Sequence, residues 1–380
     1  MGNLNCYAVV VPGLEGIAAD ELHELAADDV QMGDGGIAFT TTMDGLFRIN
    51  LRARTITRIL IRLASFRALS FPELYNKAKK VAWQQYIGTD VSLAVRASCK
   101  GSKLMHSGRA EMALADGIRD KIGFEVSGAE TQHQQQILLR IDNNQCTISL
   151  DVSGERLDRR GYRLHSGKAP VRETIAAAIL RWMDWQGGKQ KVGQKDGQKN
   201  EPLLTPMCGS GTFAIEAVWM AEKRAAGLEH DFSLLHWPCL KEKRWQRALD
   251  KAKAMHSPCE LAVFASEWDE AILKQAKENA AQAGLLENIS FELLDARKLA
   301  VPTGVSDAGL IVCNPPYGER VKADVGSLYR QLGKQFKQHF QGWRMAVIVP
   351  DKESEKALAL PVKKRLKIKH GGRWVTVLHV

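Results

Sequence analysis

From Pro202 onward, short apolar runs alternate with longer amphipathic ones, and this rhythm constrains the fold more than any other feature of the chain. Leu203–Thr205, Leu261–Ser266, Ile289–Leu294, Ala308–Cys313 and Met345–Val349 have strand length. Thr212–Arg224, Glu270–Ala283 and Ser327–His339 carry apolar residues at helical spacing. Strand–helix repeats of this kind predict an α/β fold: a parallel, doubly wound sheet with right-handed crossovers. The end of the chain departs from the pattern. Leu366–Lys369, a His370-Gly371-Gly372-Arg373 turn and Trp374–Val380 predict a closing antiparallel hairpin.

The first half reads differently, as a compact α+β region of two small subdomains. Strands are expected at 5–11, Ile37–Thr41, Thr57–Phe66, Asp90–Ala97, Gln136–Ile141 and Gln145–Leu150. Helices are expected at Leu14–Ala27, from an Asp44 cap to about Leu51, at Pro72–Tyr86 and at Ser107–Gly123. A charged connector occupies 151–173, followed by a helix from Glu173 to about Trp185. Gly187–Asn200 has Val192 as its only apolar residue and predicts a solvated loop at the amino end of the sheet.

The chain has 380 residues, enough for two or three domains, and a formal net charge of +10. The excess is local. Residues 1–165 hold 20 Lys/Arg against 19 Asp/Glu, but Arg48–Lys80 contains nine basic residues and Glu73 as the only acid. Basic patches suit a polyanionic partner or, equally, a solvated surface. Seven scattered cysteines without C-x-x-C spacing argue against a disulfide framework and a zinc site, so no metal is expected. No apolar run is long enough to span a bilayer and no secretory pattern opens the chain, so a cytoplasmic location is the expectation.

Met207-Cys208-Gly209-Ser210-Gly211-Thr212 follows a short strand and opens a helix. The two glycines let the backbone turn tightly against a ligand, and the helix N-terminus offers free N–H groups to a carboxylate. The next strand ends in Glu267-Trp268, where an acid can accept from a ribose diol. The third ends at Asp295-Ala296, where an acid can accept from an adenine amine. A P-loop is absent and the longer dinucleotide glycine pattern is not completed. The set fits S-adenosylmethionine.

The fourth strand ends in Asn314-Pro315-Pro316-Tyr317. Two prolines forbid helix and central strand, so the loop is rigid. The exocyclic amine of a purine is a poor nucleophile because its lone pair is delocalised into the ring. The Asn314 side-chain oxygen and the Pro315 carbonyl can accept its two N–H bonds and favour a pyramidal nitrogen. Pro316 fixes the backbone, and Tyr317 offers a face on which a single-stranded or flipped-out base can stack. Positioning and charge stabilisation suffice, without a metal or a strong general base. The tetrapeptide does not choose between adenine and guanine, or between RNA and DNA.

The sequence resembles the bacterial large-subunit ribosomal RNA guanine-N2 methyltransferases that join a THUMP domain to a Rossmann-like methyltransferase. The segments that carry the resemblance are 151–163 (Asp-Val-Ser-Gly-Glu-Arg-Leu-Asp-Arg-Arg-Gly-Tyr-Arg), 169–178 (Ala-Pro-Val-Arg-Glu-Thr-Ile-Ala-Ala-Ala), Pro206–Thr212 and Asn314–Arg320. The stretch from Ala226 to Phe232, with Trp237-Pro238, is similar to the family's insertion after the first methyltransferase helix. The resemblance implies a ferredoxin-like segment at 1–55, an RNA-binding THUMP domain at 56–155, a connector at 156–173 and a methyltransferase domain at 174–380. It implies Arg172 and Glu173 near the cofactor, and Arg159, Arg160 and Arg163 facing RNA, with 23S rRNA as partner. Longer members carry a second methyltransferase behind this one.

The chain departs from the family at Thr205, where Asp usually stands before Pro206, and at Glu267, which replaces the commoner Asp. Thr205 removes a carboxylate from the neighbourhood of the methionine amino group. Transfer RNA as substrate, adenine-N6 methylation of RNA or DNA, and a lapsed RNA-binding module remain the alternatives.

Overall fold

The computed structural model describes residues 2–123, 133–166, 170–185, 201–305, 308–317 and 325–380. Gly187–Asn200, Ala169 and Gly318–Arg320 lie outside the described residues. The chain divides into two compact units. The first takes Met1–Val10, Ala19–Leu157 and Gly227–Lys251; the second takes Val11–Ala18, Asp158–Ala226 and Ala252–Val380.

The first unit is built on one seven-stranded sheet. Its strands are β1 (Leu4–Val10), β2 (Asp28–Gly33), β3 (Gly36–Thr41), β4 (Ile56–Arg67), β5 (Val91–Lys100), β6 (His133–Asp142) and β7 (Gln145–Asp151), in the order β2-β3-β1-β4-β7-β6-β5. Its helices include α1 (Glu15–Glu24, which crosses the unit boundary), α2 (Met43–Arg52), α3 (Phe71–Ala78) and α4 (Ser107–Ile122). The two expected subdomains share this sheet because β4 is twelve residues long. Its first half pairs with β1 (Cys6 opposite Ile61), and β7 pairs with it from Leu60 to Arg67. The buried Ile56, Ile59, Leu60 and Ile61 make that strand the common core of both halves.

Local chemistry corrects two expectations. Thr42, not Asp44, caps α2: its side chain accepts from the Gly45 N–H at 3.1 Å, and Asp44 instead pairs with Arg244 at 2.9 Å. The helix from Pro72 stops at Ala78 and resumes only as a 3-10 turn at Trp83–Gln85. Burying Trp83, whose indole N–H bonds the Ala78 carbonyl at 2.8 Å, takes precedence over helical continuity.

Residues 227–251 pack in the first unit although they interrupt the sequence of the second. Trp245 meets Phe47 edge-on at 5.5 Å, and the Trp237 indole N–H donates to Gln135 at 2.8 Å.

The second unit carries β8 (Leu203–Pro206), β9 (Val263–Glu267), β10 (Ser290–Leu293), β11 (Leu310–Cys313), β12 (Arg344–Val349), β13 (Lys364–His370) and β14 (Arg373–His379). Their order is β10-β9-β8-β11-β12-β14-β13. The first five are parallel and the last two close the sheet as an antiparallel hairpin, as expected. Around them run α5 (Glu173–Trp182), α6 (Thr212–Ala221), α8 (Glu270–Gln282), α9 (Val325–His339) and α10 (Lys352–Leu358), while α7 (Glu242–Ala254) crosses the unit boundary. The strand order reverses between β8 and β11, so a crevice opens at their carboxyl ends. One face of the core packs Ile311, Cys313, Met345 and Val347 against Tyr329, Leu332 and Phe336 of α9. No helix among the described residues is long and apolar enough to cross a membrane.

Helices α9 and α10 approach so closely at Gly333 that an added Cβ would lie 1.9 Å from the Leu358 carbonyl oxygen. Gly333→Ala is therefore expected to destabilise the protein by about 1–3 kcal/mol in denaturant unfolding. Gly108→Ala, on α4 with open space around it, is expected to be neutral or slightly stabilising in the same measurement.

Candidate active site

The carboxyl end of β8 makes the first wall of the crevice. Met207, Gly209 and Gly211 all take positive φ (55°, 54° and 79°), and Gly211 is the N-cap of α6. The turn is pinned from both sides: Cys208 N–H donates to the Ser266 carbonyl and Gly211 N–H to the Cys208 carbonyl, each at 2.9 Å. A Cβ at Gly209 would meet nothing within 4 Å, so the outer side of this turn is open for a ligand. Pro206 ends β8, and Ser210 and Thr212 are buried.

Glu267 ends β9 next to the turn. Its carboxylate accepts from the Gly209 and Trp268 N–H groups, both at 3.1 Å. Burial pushes this carboxyl up from its ordinary range, against the pull of those hydrogen bonds. The Asp269 N–H adds a third bond, and the carboxylate keeps capacity for a further donor. Trp268 beside it is 67% exposed and presents a free indole face. Asp295 caps the 3-10 turn Ala296–Lys298 and holds the Arg297 guanidinium, which lowers its carboxyl below the usual range. Ala296 is buried behind it. Thr205 is buried too, and its hydroxyl donates to the Phe264 carbonyl of β9 at 3.2 Å. It completes the sheet and supplies no carboxylate.

The opposite wall is the loop after β11. Pro315 is buried and Pro316 exposed. The Asn314 side-chain oxygen is buried and has no hydrogen-bond partner among the described residues. An orphaned acceptor of this kind costs about 1–3 kcal/mol unless a donor arrives. Tyr317 is buried, and its hydroxyl lies 2.6 Å from His370 Nδ1.

The connector corrects two of the three arginine expectations. Arg160 and Glu216 form an ion pair at 2.8 Å with side chains 1% and 0% exposed, and the Tyr162 hydroxyl donates to the same carboxylate at 3.1 Å. Arg163 donates to Glu173 at 2.7 Å, to the Val171 carbonyl at 2.9 Å, and to the Ser210 and Thr212 hydroxyls at 2.6 and 2.8 Å. Both arginines face the interior because Glu216 and Glu173 are buried acids that require cationic partners. Arg159 is exposed. Glu173 thus reaches the glycine turn through Arg163, and Arg172, N-cap of α5, lies 4.0 Å from Asp158.

Asn279 escaped the sequence reading. It is fully buried on α8 and clamps the connector to the turn, donating to the Ser210 and His165 carbonyls and accepting from the Leu164 and His165 N–H groups. A polar residue within the buried stripe Leu273, Ala276 and Ala280 was the available signal. Glu216, the single charge in an otherwise nearly apolar α6, was another.

Cofactor affinity should depend on Glu267 ionisation. The deprotonated form offers two acceptors, so affinity is expected to fall as pH drops through its raised range, above that of an ordinary glutamate. Glu267→Gln is expected to cost about tenfold in affinity and to flatten the profile, as read by calorimetric titration with S-adenosylmethionine. A flat wild-type profile would count against the ribose role.

The RMKL-like methyltransferase domain family matches residues 160–377, the RlmL ferredoxin-like domain 5–60 and the THUMP domain 68–151. A Synechocystis protein named as an RNA methyltransferase is 33% identical over 98% of this chain and 95% of its own length. Ribosomal RNA large subunit methyltransferase K/L of Shewanella woodyi is 34% identical over 97% of this chain. The chain spans about half the length of such K/L relatives, 51% in that case. Among solved structures, a methyltransferase complexed with SAH superposes over 100% of this chain and 98% of its own with a TM-score of 0.86 at 24% identity. A protein described as a predicted N6-adenine-specific DNA methylase from Listeria monocytogenes reaches a TM-score of 0.85 at 26% identity, over 100% and 96% of the two chains. A glycine turn, an acid at the end of β9 and an asparagine–proline loop after β11 thus sit on a methyltransferase fold, and the chain belongs to the RMKL-like methyltransferase family and carries a THUMP domain.

Proposed function

We propose that this chain methylates the exocyclic N2 amine of a guanine in large-subunit (23S) ribosomal RNA. The observation that carries the reading is the buried Asn314 oxygen, without a partner among the described residues, at the carboxyl end of β11 beside the switch point of the sheet. When bound, S-adenosylmethionine supplies the methyl group as an electrophile. Gly209, Gly211, Glu267 and Asp295 would hold it, and the open turn with an adjacent acid fits such a ligand. Asn314 and the Pro315 carbonyl accept the two N–H bonds of the incoming amine. That orients the nitrogen lone pair, and the positive charge that grows on nitrogen strengthens both hydrogen bonds. Tyr317 supports the flipped-out base. Arg159 and Arg172 are exposed in the connector and are the arginines proposed for phosphate contact there.

Ribosomal RNA as substrate is supported by the K/L relatives, which align along nearly the whole of this chain. In the first unit a cavity of about 410 Å³ is lined by polar and charged side chains of both signs, among them Arg58, Arg96, His133, His236, Glu155 and Asp231, a surface with hydrogen-bonding groups for RNA. Adenine-N6 methylation is the second reading, favoured by the Listeria structure's description and by the loop chemistry, which serves either purine.

Incubation with labelled S-adenosylmethionine and separated ribosomal RNA, transfer RNA and DNA, followed by nucleoside mass spectrometry, is expected to yield N2-methylguanosine from 23S rRNA. N6-methyladenine as sole product would overturn the guanine assignment. Asn314→Ala is expected to lower kcat by about 10²–10³-fold while cofactor binding is retained. Full activity in that variant would overturn the mechanism.

A further inference from the structure

Neither sequence motif contains His370, yet it holds the last residue of the catalytic loop. His370 ends β13 and is 5% exposed. Gly371 and Gly372 follow with φ of +58° and +81°, a hairpin turn that fixes His370 opposite Arg373 in the β13–β14 ladder. Its Nδ1 lies 2.6 Å from the Tyr317 hydroxyl and its Nε2 lies 3.4 Å from the Pro170 carbonyl oxygen. The two rings also meet edge-on, with centroids 6.3 Å apart.

A carbonyl oxygen only accepts, so Nε2 carries a proton toward Pro170, while Nδ1 and the Tyr317 hydroxyl share the second hydrogen bond. Pro170 precedes Val171, whose carbonyl accepts from Arg163, and Arg163 holds Ser210 and Thr212 of the cofactor turn. A continuous run of hydrogen bonds and backbone therefore joins the two loops between which the methyl group must move: Tyr317, His370, Pro170–Val171, Arg163, Ser210.

We propose that His370 is a positioning residue that sets the Asn314–Tyr317 loop at its working distance from the cofactor turn, acting through Tyr317. The proposal rests on the methyl-transfer reading above. Because His370 touches neither ligand in this scheme, its loss changes the transfer step and not cofactor affinity. An error of about 1 Å in such a site costs about 10²-fold in rate.

The test compares full-length wild type, His370→Leu, His370→Asn, Tyr317→Phe and the Tyr317→Phe/His370→Leu double variant. Methyl incorporation into RNA gives kcat and KM, and S-adenosylmethionine affinity is titrated separately. Expected for His370→Leu is a kcat loss of about 10- to 100-fold with cofactor affinity unchanged. His370→Asn, which keeps an acceptor near the Tyr317 hydroxyl, should recover most of that loss, and the double variant should be no worse than the poorer single one. Wild-type kcat in His370→Leu, loss of cofactor affinity in step with kcat, or effects that multiply in the double variant would each overturn the proposal. A denaturant-unfolding cycle on the same variants reads the Tyr317–His370 coupling without any activity, and strict additivity there would overturn the link. If wild type transfers no methyl group to RNA, the methyl-transfer reading fails, and the unfolding cycle still decides whether the two residues are coupled.

Discussion

The half-buried Arg163 guanidinium is the group on which the second unit's site depends. Its planar fork reaches a carboxylate, a main-chain carbonyl and two hydroxyls at once, a set that a lysine ammonium on its flexible stem could not span. Burial works against the charge, but Glu173, Tyr162 and Glu216 together hold the guanidinium above its ordinary range. The entry to α5 and the cofactor turn are thereby fixed to one group. Arg160 with Glu216 repeats the device one turn away, and Asn279 closes the connector against the turn from the α8 side. Removing one partner of such a pair leaves an uncompensated buried charge, so each is a determinant of conformation more than a source of net stability.

Upon that frame the sheet places the chemistry. Reversal of strand order between β8 and β11 separates the cofactor turn from the Asn314 loop by one crevice. Glu267 anchors one wall by accepting main-chain N–H bonds, and the Asn314 oxygen on the other has no donor among the described residues. Thr205 supplies no carboxylate to that wall: its hydroxyl serves the β8–β9 pairing.

In the first unit the long β4 has the corresponding organising role. It unites what local patterning divides, because a twelve-residue strand can satisfy β1 along one part and β7 along another. Residues 227–251 complete that unit through Trp237 and Trp245, large apolar side chains that need a partner surface wherever the chain can supply one.

The sequence by itself determined the alternation of strands and helices in the second unit, the closing hairpin, the glycine turn and the Asn314–Tyr317 loop. Each of these is written in local periodicity or in the backbone restrictions of glycine and proline, which act over a few residues. The tertiary structure alone decided which charges face water. Arg160 and Arg163 read as a solvated or RNA-facing hinge, because nothing within reach along the chain reveals that Glu216, 56 positions from Arg160, is a fully buried acid. It likewise decided that Thr42 rather than Asp44 caps α2, that 227–251 belongs with the first unit, and that His370 grips Tyr317 from 53 positions away. The physical reason is the same in each case. Burial sets the cost of an unpaired polar group, burial is a property of the packed chain, and the partner that relieves it comes from wherever packing brings one.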